Sequence, residues 1–477
     1  MANQYFNQLN KPTKQFEQIT DLFPYLRKEK REQSFDNIGW ENGGIGSIIN
    51  FEILNGWITD MTLRIELPEI IADEGTTGYK VNIHTGNIPS TGYLNWVDSI
   101  GHAIIDKLEF QLGNHKIIPQ SLPYGTFLDI YNELNDKNRQ EWDLIGKYRM
   151  LHSIKRFETN KRILYVPLHL WFSEDISKAL PSFLFNTKPS TKKKFSITLF
   201  INHFKHLMVS NITNNVPTTI PNPKIDLLYD VLVIPEDNPM ELKTYIEQLK
   251  EGYKLNPYRI FFDNYSYYEG ILKEKLNVVD FPNNNPIKEL LFVISLEKRQ
   301  KKVDAKSTTT SLNELSGDTY GNDYFNYTND KTFSKLGNTN DSFTNLSISL
   351  RGNHAYDFMK NNDALYLRKV IPLKLYNKVP NKHIYVIDFN NNKNNNNKKD
   401  YIINGYLECT SDTKIDFIFD TIEEAEKSDE NKKLKVFAKE INFLEIKVAE
   451  DDQISINYNS WNSIPTIAIS NPTPNPQ

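Results

Sequence analysis

The chain has 477 residues, more than one hydrophobic core usually organises, so two cores are expected. Hydrophobic residues make up 39% of it and aromatic residues 12%, enough to fill packed interiors. The net charge is -4, from 56 basic and 60 acidic residues interspersed along the chain; this excludes the broad positive field of a non-specific nucleic-acid binder, so no direct nucleic-acid contact is expected.

No apolar run approaches the roughly 20 residues that span a bilayer. The opening MANQYFNQLNKPTK lacks the basic-then-apolar order of a secretory signal. The single cysteine, Cys409, sits in the strand-like stretch IINGYLECT and has no partner for an internal disulfide. Its expected role is that of a buried, inert thiol in a chain kept in a cytosol-like compartment.

Strand-like stretches rich in β-branched and aromatic residues dominate the chain. The first two are SIINFEIL (47–54) and WITDMTLRIEL (57–67), separated by Asn55-Gly56. Both residues of that pair tolerate positive φ, which predicts a hairpin of two antiparallel strands. In AIIDKLEFQL (103–112), Leu108, Phe110 and Leu112 alternate with Lys107, Glu109 and Gln111, the pattern of a sandwich strand with one buried face. Phe127, Ile130, Tyr131 and Leu134 then recur at helical spacing, ahead of the charged stretch NDKNRQEWDLIGKY. Strands resume at KRILYVPL (161–168), KFSITLFI (194–201) and KIDLLYDVLVI (224–234).

Residues 235–256, PEDNPMELKTYIEQLKEGYKLN, turn polar and helical and mark a linker. The strand pattern restarts at ILKEKLNVV (271–279) and KELLFVISL (288–296). It continues through NLSISL (345–350), HIYVIDF (383–389), YIINGYLEC (401–409), KIDFIFD (414–420) and LKVFAKEINFLEIKVA (434–449). Two polar insertions, 299–344 and 390–400, cannot bury enough apolar surface to form cores and are expected to project as loops. The expected organisation is an N-terminal arm (1–35), a first sandwich (36–234), the linker, a second sandwich (257–450) carrying both insertions, and a C-terminal tail (451–477).

Three segments carry a family resemblance. NWVDSIGHAII (95–105), running on through LEFQLGNHKI to YGTFLDIYNEL, resembles the W-V-x-x-x-G-H strand, turn and aromatic-rich helix of the major capsid proteins of nucleocytoplasmic large DNA viruses. RILYVPLHLWFSEDISKALP (162–181) resembles their L-x-V-P-L-x-F-W-F segment with its following A-L-P. Residues 349–389 resemble a third signature ending in I-P-x-x-x-I-Y-V-Y-x-F. The matching positions are Trp96, Gly101, His102, Pro167, Trp171, Pro181, Pro372, Pro380 and Tyr385. There are departures: Arg351-Gly352-Asn353-His354 replaces the family's asparagine-glycine order, and FPYLRKEKREQSF only loosely matches its arginine-rich opening.

The resemblance implies an all-β fold of two tandem eight-stranded antiparallel jelly-roll sandwiches with short helices and long loop insertions. It implies homotrimeric, pseudo-hexagonal capsomers that tile an icosahedral capsid, with no enzymatic activity and no cofactor. The implied partners are neighbouring capsomers, minor capsid or penton proteins and, through the terminal arms, an internal membrane. The implied location is the virion capsid, assembled in the host cytoplasm. The alternative is a carbohydrate-binding or receptor-binding virion module using exposed aromatics between Tyr320 and Tyr327.

Other chemical signals have plainer readings. His203 and His206 could approach a metal, but a zinc site needs three or four ligands, so ordinary polar contacts are expected. Gly43-Gly44-Ile45-Gly46-Ser47 lacks the lysine of a phosphate loop and reads as a turn into a strand. Glu408, Asp412, Asp416 and Asp420 read as the solvent face of a strand rather than a glycosidase pair. Trp96 and His102 read as core or inter-sheet residues. Lys192-Lys193-Lys194 and RKEKR (27–31) read as exposed turn and arm, or as contacts to acidic headgroups or another subunit. Sequons occur at Asn211, Asn264, Asn326, Asn340 and Asn345, the last three in or beside the projected loop and so the candidates for glycosylation.

Overall fold

In Gly56–Leu67 the residues Met61, Leu63, Ile65 and Leu67 are buried while Thr62, Arg64 and Glu66 are half-exposed, and this period of two sets the strand and its register. The computed structural model describes residues 26–40, 46–51, 55–69, 94–135, 141–147, 162–185, 195–210, 219–234, 239–273, 276–281, 285–296, 324–327, 341–351, 356–389, 402–403, 406–407, 409, 413–422, 432–449 and 454–459.

The first half contains β1 (Arg27–Ser34), β2 (Ser47–Asn50), β3 (Gly56–Leu67), β4 (Leu94–Trp96), β5 (Ile105–Leu112) and β6 (His115–Ile118). It continues with β7 (Arg162–Pro167), β8 (Leu180–Pro181), β9 (Phe195–Ile201), β10 (Met208–Ser210) and β11 (Lys224–Val233). Helices α1 (Ile100–Ala103), α2 (Tyr124–Asn135) and α3 (Glu141–Ile145) lie among them, and α4 (Pro239–Leu255) follows. The second half contains β12 (Tyr258–Ile271), β13 (Leu276–Val279), β14 (Ile287–Leu296), β15 (Phe343–Arg351), β16 (Tyr356–Asp363) and β17 (Tyr385–Asp388). Its remaining strands are β18 (Ile402–Ile403), β19 (Tyr406–Leu407), β20 (Lys414–Ile422), β21 (Lys432–Val448) and β22 (Ile454–Asn459). Between β16 and β17 a π turn, Tyr366–Val370, runs into α5 (Ile371–Tyr376).

One sheet of the first sandwich has the order β1-β11-β3-β7 and the other β2-β9-β5-β6. Those of the second are β12-β21-β14-β17 and β13-β20-β15-β16, again antiparallel throughout. Replacing each strand of the first set by its chain-order counterpart in the second reproduces the pairing position for position. This is an architectural duplication with no visible sequence repeat. Phe51, just after β2, joins the first pair of sheets by meeting Phe195 of β9 at 4.3 Å and Tyr229 of β11 at 5.6 Å.

The predicted hairpin at Asn55-Gly56 does not form. β2 pairs with β9 and β3 with β11 and β7, so the chain crosses from one sheet to the other. Gly56 serves close approach rather than positive φ, because a Cβ there would lie 2.1 Å from the Leu232 carbonyl oxygen. We therefore expect Gly56→Ala to destabilise the chain by about 1–3 kcal/mol, as core overpacking does. Chemical denaturation read by tryptophan fluorescence would measure it, and a midpoint equal to wild type would refute the close-approach role.

Both chain ends enter the fold further than expected. Residues 27–34, assigned from sequence to an arm, form the edge strand β1, paired along its length from Arg27↔Val233 to Ser34↔Asp226. Ser34 donates to the buried Asp226 at 2.7 Å, and Arg64 pairs with the same carboxylate at 2.8 Å. Burial works against the charge of Asp226, but Ser34 and Arg64 outweigh it and hold its pKa below the usual range. At the other end Ile454–Asn459, assigned to the tail, pairs with β21 on the edge that β14 leaves open beyond Glu440. β12, also unpredicted, is a 14-residue aromatic strand, YRIFFDNYSYYEGI.

Candidate functional site: the junction between the sandwiches

The two sandwiches meet through an aromatic seam that begins with Trp171. It lies in a 3-10 turn just after β7, buried, with its ring stacked on Phe262 of β12 at 4.7 Å and edge-on to Phe110 of β5 at 5.6 Å. Its indole nitrogen donates to the Tyr258 hydroxyl at 3.4 Å, and that hydroxyl donates to the Lys178 carbonyl at 3.0 Å. Phe127 of α2 meets Tyr265 of β12 at 4.5 Å. Asn264 donates its amide to the Ile117 carbonyl at 2.8 Å and to the Tyr458 hydroxyl at 2.9 Å. Strand β22, which carries Tyr458, also reaches the first sandwich through a hydrogen bond between His115 Nε2 and the Ile456 carbonyl at 3.1 Å.

An ionic cluster extends this seam. Asp129 and Glu133 are four residues apart on α2, so they share one helix face, and both are buried. Lys382, just before β17, donates to Asp129, and Lys147 to Glu133. Tyr327 donates to the other Asp129 oxygen at 3.0 Å, and the Asn381 backbone donates to Glu133 at 3.2 Å. The Lys382 ammonium also lies 4.9 Å from the centre of the Phe325 ring. Burial opposes its charge, but Asp129 and Glu133 prevail and raise its pKa. Glu133 is held below the usual carboxylate range, Lys147 and Lys382 outweighing its burial, whereas burial pushes Asp129 upward.

Several sequence-singled residues converge on this region. Trp171 is in the seam, and His102 is buried near Lys382, its pKa pushed well below the usual value by burial and then by that ammonium. Gly101 lets α1 approach the first sandwich, since a Cβ would lie 2.9 Å from Val166 Cγ2 and 3.0 Å from the Ile145 carbonyl oxygen. Tyr385 is buried in the second core, stacked on Phe292 at 5.0 Å and donating to Asp341 at 3.0 Å. Elsewhere, Trp96 stacks on Trp40 at 5.9 Å, Pro167 pairs with Thr62, Pro181 with Trp57, and Pro372 and Pro380 are buried.

The remaining candidates are accounted for locally. His203 accepts from the Lys205 amide at 3.2 Å and caps the turn Phe204–His206. Gly46 and Ser47 lead into β2; Gly43, Gly44 and Ile45 lie outside the described residues, as do Lys192-Lys193-Lys194. Cys409 is buried. Asp416 departs from the expected solvent face: it is buried and paired with Arg351 at 2.5 Å. Asp420 is exposed, and Glu408 and Asp412 lie outside the described residues.

Part of the 299–344 insertion also departs from a projecting loop. Tyr324 hydrogen-bonds Asn202 at 2.8 Å while Phe325, Asn326 and Tyr327 are buried, so these aromatics are not the exposed sugar-stacking surface expected of the alternative. The same burial leaves no room for a glycan on Asn326. Asn264 is engaged in the seam and Asn345 is half-buried on β15, while Asn211 and Asn340 lie outside the described residues, as does the run 390–400. Lys382, Asp129, Glu133 and Lys147 went unnoticed in the sequence, although carboxylates at 129 and 133 interrupting the apolar period of α2 were the available signal.

Residues 32–220 match the family described as "Major capsid protein N-terminus". A probable capsid protein 4 of Acanthamoeba polyphaga mimivirus is 30% identical over 98 residues, 20% of this chain. That match spans only 18% of the relative's own length. The capsid protein in a quasi-atomic model of the PBCV-1 virus capsid superposes with a TM-score of 0.57 at 12% identity, covering 91% of this chain and 98% of that one. The Faustovirus major capsid protein gives 0.55 at 11% identity, covering 88% and 91%. At such identities the likeness shows the fold, and it runs through both sandwiches. The fold is that of the double jelly-roll major capsid proteins, and residues 32–220 match the family of their N-terminal part. The junction packs the two jelly rolls against each other through Trp171, Phe262 and the Lys382–Asp129 pair.

Proposed function

We propose that this chain is a structural shell subunit, three copies of which form a pseudo-hexagonal capsomer that tiles the facets of an icosahedral DNA-virus capsid. The observation that carries the reading is the repeated sheet order of the two sandwiches together with the buried seam between them. Two similar bodies fixed side by side in one chain become six around a threefold axis, and six similar bodies give a near-hexagonal tile from one gene product.

On this reading the remaining surface serves neighbouring capsomers and minor capsid or penton proteins in a virion assembled in the host cytoplasm. Residues 1–25, ahead of β1, and residues 460–477 are the segments proposed for contacts with those partners or an internal membrane. The role is structural, without catalytic residue or cofactor. Light scattering of the purified chain should give three times the chain mass, and negative-stain images should show hexagonal outlines. A strictly monomeric protein that forms no lattice with its co-expressed minor proteins would overturn the reading.

A further inference from the structure

The duplication makes each element of one sandwich a guide to its counterpart. Helix α2 follows β6, and the continuous helical segment 364–376, made of the π turn and α5, follows β16, which is the counterpart of β6. In the first sandwich this helix is almost wholly buried: Phe127, Leu128, Ile130 and Leu134 are each 4% exposed or less, and β12 of the second sandwich supplies part of the cover. In the second sandwich the same position exposes Leu365 (47%), Tyr366 (37%), Val370 (36%) and Leu373 (50%), with Leu375 and Val379 beside them. Clustered large apolar side chains on one helical segment mark an interaction surface rather than scattered exposure.

The counterpart of β12 is β1, and it too lacks the cover that β12 has. Six of its eight residues are exposed, whereas β12 receives Phe127 and Trp171 from the neighbouring sandwich. Among the described residues of one chain, therefore, one helix–strand contact of this type is made, and the two surfaces that would make the second are both exposed. Among the described residues β1 packs on β11 while segment 364–376 packs on β16, β17 and α2, so the two do not cover each other within the chain. Such head-to-tail surfaces are satisfied when the chain's second sandwich meets the first sandwich of another copy, and a closing rotation gives a ring.

We infer that segment 364–376 is a subunit interface, occupied by the β1 sheet edge of the first sandwich of the next copy. This rests on the capsomer reading and adds the surface through which it closes. The aliphatic stems of the arginines and lysines on β1 cover Val370 and Leu373 while their charged ends reach the rim. The surface is also continuous with the junction within the chain, since Lys378 just beyond it donates to the Asn132 carbonyl of α2 at 3.5 Å.

Leu373→Glu places a charge on a half-exposed position and should leave the fold intact while shifting the full-length chain from trimer to monomer in sedimentation velocity. Leu255→Glu, at the 83%-exposed end of α4, should remain trimeric. As a measurement independent of any folding defect, Leu373→Cys in the assembled wild-type background should react with a maleimide at least tenfold more slowly than Leu255→Cys. A trimeric Leu373→Glu, or equal labelling of the two cysteines in a trimeric protein, overturns the interface and leaves the capsomer reading standing. A wild-type chain that is monomeric under every assembly condition overturns both.

Discussion

Lys382→Met is expected to lower the stability of the chain by about 3–5 kcal/mol, the cost of breaking a buried ion pair by removing one partner. The methionine keeps most of the alkyl volume, so the cavity contribution is small. What remains is Asp129, buried in the seam with only the Tyr327 hydroxyl still donating to its side chain among the contacts described above. Glu133 keeps Lys147 and is affected less. Urea unfolding gives the magnitude, and adding Asp129→Asn should recover a large part of the loss, since the neutral amide no longer needs a buried counter-charge. A loss under 1 kcal/mol, or no recovery in the double variant, would show that the cluster does not hold the sandwiches together.

Much of the β architecture was legible because the side-chain period of a half-buried strand is written directly in Leu108, Phe110 and Leu112, or in Leu63, Ile65 and Leu67. The failures have physical causes. Asn55-Gly56 has the composition of a tight turn, but that composition is equally suited to a crossing between sheets, where the glycine is demanded by a backbone 2.1 Å from its missing Cβ. β1 is too charged to read as a strand, and it is held instead by an Arg64–Asp226–Ser34 network whose members are far apart in sequence. β12 buries Tyr258, Ile260 and Phe262 on one face, but that face continues with the polar Asn264 and Ser266 while Tyr265 and Tyr267 lie on the other, so its apolar alternation breaks midway. The junction itself was illegible for the same reason that Tyr324 and Tyr327 were taken for exposed aromatics. Its components come from α2, the turn after β7, β12, β22 and the middle of a polar insertion, and only the fold brings them together. The family-like positions Trp171 and His102 pointed into it without revealing what they touch.

Acid should loosen the chain well above the pH at which ordinary carboxylates titrate. Burial pushes His169 down to about 4, its ring packed 4.2 Å from that of Tyr131 on α2. Burial, with Arg368 adding and Asp341 opposing, takes His383 to about 4, and His102 is depressed by burial and Lys382. All three are neutral in the folded chain, whereas in the unfolded chain each takes up a proton near pH 6.5. Below that pH the unfolded state binds more protons, so the stability present above about pH 6.5 is lost progressively as the pH falls towards 4. Each unmatched proton contributes about 1.4 kcal/mol per pH unit, and three together up to ~4 kcal/mol per unit. The depressed pKa values of Glu133 and Asp226 act in the same direction at lower pH, and the raised Asp129 acts against it. Urea titrations at pH 7.0, 6.0 and 5.0 should show the fall, and His169→Gln should reduce its slope by about 1.4 kcal/mol per pH unit. Stability that is flat from pH 7 to 5, or a slope unchanged in His169→Gln, would mean these imidazoles are not held neutral. Because His102 and His169 both abut α2 and its ion cluster, the first structure lost on acidification should be the seam between the sandwiches rather than either sheet pair.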